Sequence, residues 1–402
     1  MLTLEEAREK ILAAIEPLDT ETVPLLEAER RILAEPVTAT LDLPSFDNSA
    51  MDGYALLASD TLGASTERPR RLRVAVHVPA GNTSRHLLQS GECARIFTGS
   101  PLPRGADAVV MQEDVRIPGD APDHIELTDP AAPWEHVRLQ GEDVKRGSPL
   151  LDQGIRLGAA HLSLLAAQGR SEVRVGRKPR AGILSTGSEL TEPGQPLRPG
   201  HIYESNRTTL AILTRQAGAA PEVLPLVPDD LEATQAALSA ALATQDVLIT
   251  SGGVSVGEHD VVKEAFTKLG GRTEFWRLAI KPGKPFVFGR LGSKLWFGLP
   301  GNPISALVTH QVLVRPALLR MQGAVSVEPH MVTGTLGQPI VNHSNRRHFL
   351  RVVLTPEGEV HSAGAQSSHT LQSMAAANAL LDVPAATGWR EGSTVKVMLL
   401  PG

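Results

Sequence analysis

Between residues 178 and 325 short apolar strands alternate with helical segments, and three strand-to-helix junctions carry glycine beside hydroxyl or carboxylate side chains. That alternation leaves few architectures open, because consecutive parallel strands need a crossover long enough to hold a helix. Ala181-Gly182-Ile183-Leu184 and Asp246-Val247-Leu248-Ile249-Thr250 read as strands, and helices are expected at 206–217, 231–243, 259–269 and 303–320. The expectation is a mostly parallel sheet with helices on both faces. Such a sheet binds its ligand at the loops beyond the carboxyl ends of its strands.

The three junctions are Ser185-Thr186-Gly187-Ser188-Glu189-Leu190, Thr250-Ser251-Gly252-Gly253-Val254-Ser255-Val256-Gly257 with Asp260 following, and Gly298-Leu299-Pro300-Gly301-Asn302-Pro303. Glycine admits positive φ and lets backbone N–H groups approach a ligand closely. A loop of this kind feeding a helix N-terminus suits phosphate. Pro303 fits a first helical position and Asn302 an N-cap, so the third loop alone also reads as a well-capped helix. Three such loops on one sheet should converge on one crevice. Nearby, Arg277, Lys281 and Lys284 fall within eight positions, with Pro282 and Pro285 holding the run extended. Lys281 and Lys284 are candidate anion ligands, against the reading of a solvated loop.

Acidic residues supply the other half of the chemistry. Asp52, Asp143, Glu189, Asp229, Asp230 and Asp260 stand out, and hard cations such as Mg²⁺ favour oxygen ligands shared with substrate phosphate. Asp229, Asp230 and Asp260 each precede or open a helix, so N-capping competes with a metal role. Glu189 follows a strand directly within a glycine loop, where capping explains it less well. The run Asp47-Asn48-Ser49-Ala50-Met51-Asp52-Gly53-Tyr54-Ala55 has neither helical nor strand periodicity, and is either a buried turn or a functional loop.

The remainder of the chain is organised differently. Thr3 and Glu6 match a capping box, and Leu4, Ala7, Ile11, Leu12 and Ile15 make one apolar helical face ended by Pro17. A second short helix is expected over 25–33. From about 48 to 140, runs such as Leu72-Arg73-Val74-Ala75-Val76 read as a small β domain, inserted because helix returns at 161–166. From about 326 the runs Phe349–Leu354 and Thr394–Met398 suggest a small β-barrel or sandwich.

Composition excludes several functions. A net charge of −5 disfavours bulk nucleic-acid or acidic-membrane binding. The lone Cys93 permits no internal disulfide and no Cys-rich metal site. The thirteen histidines form no HExxH motif, and no Ser–His–acid order, nucleophile elbow or Walker loop is present. No stretch reaches the roughly 18–20 apolar residues of a membrane span, and the charged N-terminus has no signal core, so the cytoplasm is the default expectation.

Taken in order, Pro44–Ala55, Arg95–Gly99, Gly141-Glu142-Asp143, Ser185–Leu190, Ser251–Gly257, Ala279–Pro285 and Gly298–Pro303 resemble the molybdopterin molybdenumtransferases, the MoeA family, whose eukaryotic relative is the E domain of gephyrin. The resemblance covers essentially the whole chain. It implies an α/β multidomain fold: a helical linker domain (1–47 and 141–177), an inserted β domain (48–140), a MogA-like molybdopterin-binding α/β domain (178–325) and a C-terminal β-barrel (326–402). It implies insertion of molybdate into adenylylated molybdopterin with release of AMP, assisted by Mg²⁺. It further implies a homodimer whose cleft draws on both subunits, and transient contact with molybdopterin adenylyltransferase and downstream cofactor-handling proteins.

Carried over by position, Asp52, Thr98, Asp143, Glu189, Asp260 and Lys281 would be catalytic. Substrate would be held by Ser251, Gly252, Gly253, Lys284, Pro300, Gly301, Asn302, Pro303, Arg347 or Arg351, and Ser368; the metal would be held by Glu189, Asp260 and Asp229 or Asp230. Two positions depart from the family pattern. Many relatives have lysine where Arg277 stands, and some have aspartate where Ser188 stands. The competing readings are an adenylyltransferase on the same α/β domain and a non-catalytic molybdopterin-binding scaffold.

Overall fold

The computed structural model describes residues 1–253 and 261–400, in two compact units. One comprises Met1–Glu35, Gln153–Ala166 and Arg170–Gly402; the other comprises Pro36–Asp152 with Ala167–Gly169.

The larger unit is built around a six-stranded sheet. Its strands run in the order Ala220–Val223, Arg180–Ser185, Val247–Ser251, Lys294–Leu299, Pro285–Leu291 and Arg272–Arg277. The first four are parallel neighbours, and the last two are antiparallel. The departure from a mostly parallel sheet has a local cause. Only Gly292 and Ser293 separate Pro285–Leu291 from Lys294–Leu299, and a two-residue link can close only a hairpin.

Side chains alternate across this sheet with period two. Ile183, Ile249 and Phe297 enter one core with Leu210 and Ile304; Leu184, Leu248 and Trp296 enter the other with Leu238 and Phe266. Helices Asn206–Gln216 and Pro303–Thr309 therefore cover one face, and Leu231–Thr244 and Val261–Lys268 cover the other. The segment expected at 303–320 stays helical to Met321 through a π turn at His310–Val314.

Helix Leu4–Ala13 starts at the capping box: Thr3 Oγ1 accepts from Glu6 N at 3.2 Å, and Glu6 Oε2 accepts from Thr3 N at 2.8 Å. Its Ala7 and Ile11 bury in the first core. The helix expected over 25–33 is absent. One 3₁₀ turn, Leu25–Glu27, is followed by extended chain, because Leu33 N donates to Ile155 O and Ala34 N to Arg174 O. At the other end of the sequence Arg347–Leu354, Glu359–Ser362, Met331–Leu336, Thr394–Leu399 and Ala379–Val383 pair in turn, and the last strand pairs again with the first. That closure makes a barrel, not a sandwich, and leaves no free edge among these strands.

The smaller unit holds a second six-stranded sheet, ordered Ala108–Met111, Gly53–Leu56, Glu92–Ile96, Arg70–Val78, His124–Leu127 and Val115–Arg116. Leu56, Leu72, Cys93 and Ile125 pack on one face, and Ala55, Ala94, Ile96 and Val109 on the other. Burial pushes the Cys93 thiol up to about 12, so this cysteine is an inert core residue. Among the described residues no helix is long and apolar enough to cross a membrane.

Candidate functional site

The glycine loops meet at one end of the larger unit's sheet. Strands Arg180–Ser185 and Val247–Ser251 are in register, so the residues following them leave the sheet side by side. Gly252 sits at φ 86°, where a Cβ would lie 2.4 Å from the Thr186 carbonyl oxygen; Gly253 sits at φ 68°, where a Cβ would lie 2.9 Å from Thr186 Oγ1. A Cβ on Gly301 would lie 3.7 Å from Gly252 Cα. Glycine is thus needed at Gly252, against the backbone of the first loop, and at Gly253, against the Val262 and Thr186 side chains, whereas a Cβ on Gly301 would make only ordinary contact.

Together the loops line a cavity of about 960 Å³. Thr186, Glu189, Asp229, Ser251, Gly252, Gly253 and Pro300–Pro303 all face it. Thr186 is buried, yet its Oγ1 has no hydrogen-bond partner among the described residues. A buried hydroxyl without a partner marks a position that a ligand oxygen would satisfy. Asp260 lies outside the described residues.

A buried polar network fixes the floor. Glu204 accepts from Ser185 Oγ at 3.0 Å, Asn206 N at 2.7 Å and Arg207 Nε at 3.1 Å. Asn206 Nδ2 then donates at 2.7 Å to both Ser251 Oγ and the Gly301 carbonyl. One side chain so ties the second loop to the third. Sequence reasoning did not single out Glu204, Asn206 or Arg207. Their only signal was a polar run entering a helix, which is indistinguishable from ordinary capping.

The two adjacent aspartates separate in role. Asp230 Oδ1 accepts from Ala233 N at 2.8 Å as the N-cap of Leu231–Thr244 and does not line the cavity. Asp229 does line it, and its Oδ2 accepts from Ser188 N at 3.3 Å while Ser188 Oγ accepts from Asp229 N at 3.2 Å. Ser188 therefore joins the first loop to Asp229.

Lys281 and Lys284 line a second cavity, of about 620 Å³, together with Arg346, His348 and Ser368. Pro285 and His369 line both cavities, so the two adjoin. Burial, with Lys281, Arg351 and Arg346 close by, pulls His348 down to about 4. It is neutral at pH 7, and the fixed charge in this cavity comes from lysine and arginine.

The expected arginines lie elsewhere. Arg347 pairs with Glu5 and, at 3.0 Å, with Asp382, and it faces neither cavity. Arg351 is fully buried and donates to Ser373 Oγ at 2.9 Å and to the Ala365 and Ser367 carbonyls at 2.7 and 3.1 Å. It anchors the loop that carries Ser368. Arg346 takes the cavity position because it precedes the strand, whereas Arg347 is already in the strand and meets Asp382 on Ala379–Val383.

In the smaller unit Asp52 Oδ1 accepts from both Thr98 N and Thr98 Oγ1 at 2.8 Å. These bonds hold the Asp52 carboxyl below its usual range, so it stays ionised. Asp143 is exposed, in a turn whose backbone N–H donates to the Leu43 carbonyl. Asn48 and Ser49 are buried, with Ser49 N donating to Ser100 O and Gly99 N to Ser49 O. Contrary to the sequence expectation the run is strand at Asn48–Ser49 and from Gly53, because each end finds a pairing partner, and only residues 50–52 bend to present Asp52 outward.

A doubly covered α/β sheet with a glycine-lined cavity beyond its strand ends, joined to a closed barrel, is a ligand-binding class of fold. Residues 182–320 match the family model described as a probable molybdopterin binding domain. Residues 2–169 match the MoeA N-terminal region (domain I and II), and 333–400 match the MoeA C-terminal region (domain IV). The chain is 41% identical to a molybdopterin molybdenumtransferase of Haemophilus influenzae over 95% of this chain and 94% of that one. It is 41% identical to molybdopterin molybdenumtransferase 2 of Mycobacterium tuberculosis over 90% of each. A crystal structure of a molybdopterin biosynthesis moeA protein from Pyrococcus horikoshii OT3 matches with a TM-score of 0.87 and 33% identity, over all of both chains. The chain belongs to the molybdopterin molybdenumtransferase family and is an enzyme of molybdenum cofactor biosynthesis.

Proposed function

We propose that this chain inserts molybdate into adenylylated molybdopterin and releases AMP. The observation that carries the reading is the convergence of three glycine loops, Glu189 and Asp229 on one cavity that adjoins a second one lined by Lys281, Lys284 and Arg346. The loops present backbone N–H groups and the Thr186 hydroxyl to phosphate oxygens. The adjoining cations attract molybdate, an oxyanion, and hold it where the dithiolene can reach it. Ser368, on the loop that Arg351 anchors, adds a hydroxyl to that subsite.

The donor set of the larger cavity fits Mg²⁺. Glu189 and Asp229 are both exposed carboxylates facing the ligand space, and Mg²⁺ characteristically takes one or two carboxylates and completes its shell from phosphate and water. When bound it would supply Lewis-acid stabilisation of charge on the pyrophosphate. The chain's own residues position the ligand: Asn206 locks the second and third loops together, and Ser188 orients Asp229. Acceleration comes mainly from such positioning and fixed electrostatics. Asp260 is proposed as a further acid of this site.

We further propose the four-domain division 1–47 with 141–177, 48–140, 178–325 and 326–402, acting as a cytoplasmic homodimer that hands its product to downstream cofactor-handling proteins. Dimerisation would let Asp52, Thr98 and Asp143 of one subunit serve the cavity of the other. Phe46, Met51, Phe97 and Leu139, all exposed around Asp52 and Thr98, supply an apolar face for such contact.

Glu189→Ala tests the reaction. It should abolish AMP release from adenylylated molybdopterin while circular dichroism and melting temperature stay at parental values. Turnover near the parental rate would reject the proposal.

A further inference from the structure

The larger cavity has two chemically different sides. One is the glycine and hydroxyl surface already described. The other is apolar and open: Ile202, Tyr203 and Leu371 line it with 58%, 47% and 47% of their surfaces exposed, and Leu190 completes it. Exposed apolar side chains are common on this chain, but these line a concave site, where a ligand can cover them.

Their placement is fixed by the backbone. Strand Ile202–Tyr203 pairs in parallel with Leu190–Thr191, and Ile202 N donates to the Glu189 carbonyl. The apolar side thus begins one residue from the Glu189 carboxylate. Tyr203 is further restrained, since its hydroxyl donates to the Gln195 carbonyl at 3.0 Å. The ring is half open, yet it is held at both its Cβ and its oxygen. An aromatic ring fixed in this way loses little entropy when another ring lies on it. The next residue, Glu204, is anchored in the buried network, which limits sliding of the strand.

We propose that Tyr203, in the cavity that Ile202 and Leu371 also line, is a stacking platform for the planar heteroaromatic end of a phosphate-bearing ligand. Phosphate binds on the glycine loops, and the ring lies on Tyr203. The inference rests on the reading of this cavity as the site for adenylylated molybdopterin, and it assigns the cavity's apolar side to one of that ligand's two rings, adenine or pterin. Selection follows from it: a phosphate ester lacking a planar ring loses the platform and binds as weakly as inorganic pyrophosphate.

The test measures calorimetric binding of AMP, molybdopterin and inorganic pyrophosphate to the full chain, to Tyr203→Phe and to Tyr203→Ala. Stacking contributions of the usual size predict that Tyr203→Ala weakens one ring-bearing ligand about tenfold or more. Pyrophosphate binding stays at the parental value, and Tyr203→Phe, which keeps the ring but loses its anchor, falls between. Loss on AMP assigns the adenine; loss on molybdopterin with AMP unchanged assigns the pterin. The platform is overturned if Tyr203→Ala binds both ring-bearing ligands like the parent. It is equally overturned if pyrophosphate weakens in step or the variant's oligomeric state changes, either of which marks a structural role. Failure of the parent to bind any of the three ligands would remove the functional reading along with the platform; parental binding by Tyr203→Ala removes the platform alone.

Discussion

Arg351 shows how one side chain supports the site without facing it. Its guanidinium is fully buried, and its hydrogen bonds to the Ala365 and Ser367 carbonyls and to Ser373 Oγ hold the loop bearing Ser368 and His369. Replacing it with alanine removes these bonds and empties a fully buried side-chain volume, at a cost of about 3 kcal/mol. Arg351→Ala should melt measurably lower than the parent in calorimetry, and Arg351→Lys should recover only part, since an ammonium cannot reproduce the guanidinium fork. His310 carries the clearest pH signature. It is fully buried, Nε2 meets Thr214 Oγ1 at 3.1 Å, and burial, aided by Arg315, lowers it from 6.5 to about 3. The unfolded chain therefore takes up a proton that the native chain refuses as pH falls through that window. Stability is highest above the unfolded value and declines toward pH 3, by up to about 1.4 kcal/mol per pH unit from this group. Urea titrations at pH 7 and pH 5 should show a smaller decline in His310→Gln than in the parent.

At the scale of elements, neighbouring aspartates do different work because one lies at a helix cap and the other one residue before it. Asp230→Ala removes the cap of Leu231–Thr244 and should cost about 1 kcal/mol of stability while leaving AMP release near the parental rate. Asp229→Asn should do the reverse, lowering turnover at least tenfold with little change in melting. Equal effects of the two on turnover would contradict the separation seen in the cavity lining. The hairpin Pro285–Leu291 and Lys294–Leu299 matters in the same way. Antiparallel pairing of Val287 with Gly298 brings Lys284 to the same end of the sheet as the glycine loops, and parallel pairing of Ile280–Lys281 with Arg347–His348 sets both lysines beside Arg346 and His348.

For the whole molecule, the prediction concerns subunits. Asp52→Ala and Glu189→Ala should each be inactive alone. If one subunit supplies Asp52 and the other Glu189, mixing the two variants after subunit exchange should restore up to about a quarter to a half of parental activity per dimer. No recovery in a demonstrated mixed dimer would place both residues in the service of one subunit.

Local pattern alone was sufficient for the elements whose determinants are close in sequence. The Thr3–Glu6 capping box, the alternating strands of the central sheet and the glycine loops are each specified within a few residues, so the sequence by itself determines them. The tertiary fold decided what depends on distant partners. Residues 31–34 became extended because Ile155 and Arg174 offered backbone partners. Arg346, not Arg347 or Arg351, reached the second cavity because strand pairing committed Arg347 to Asp382 and burial committed Arg351 to its loop. Glu204 and Asn206 gained their roles only when separate loops came within hydrogen-bonding reach. A sequence encodes which groups can bond; which ones do is set by the competition among all partners that packing brings together.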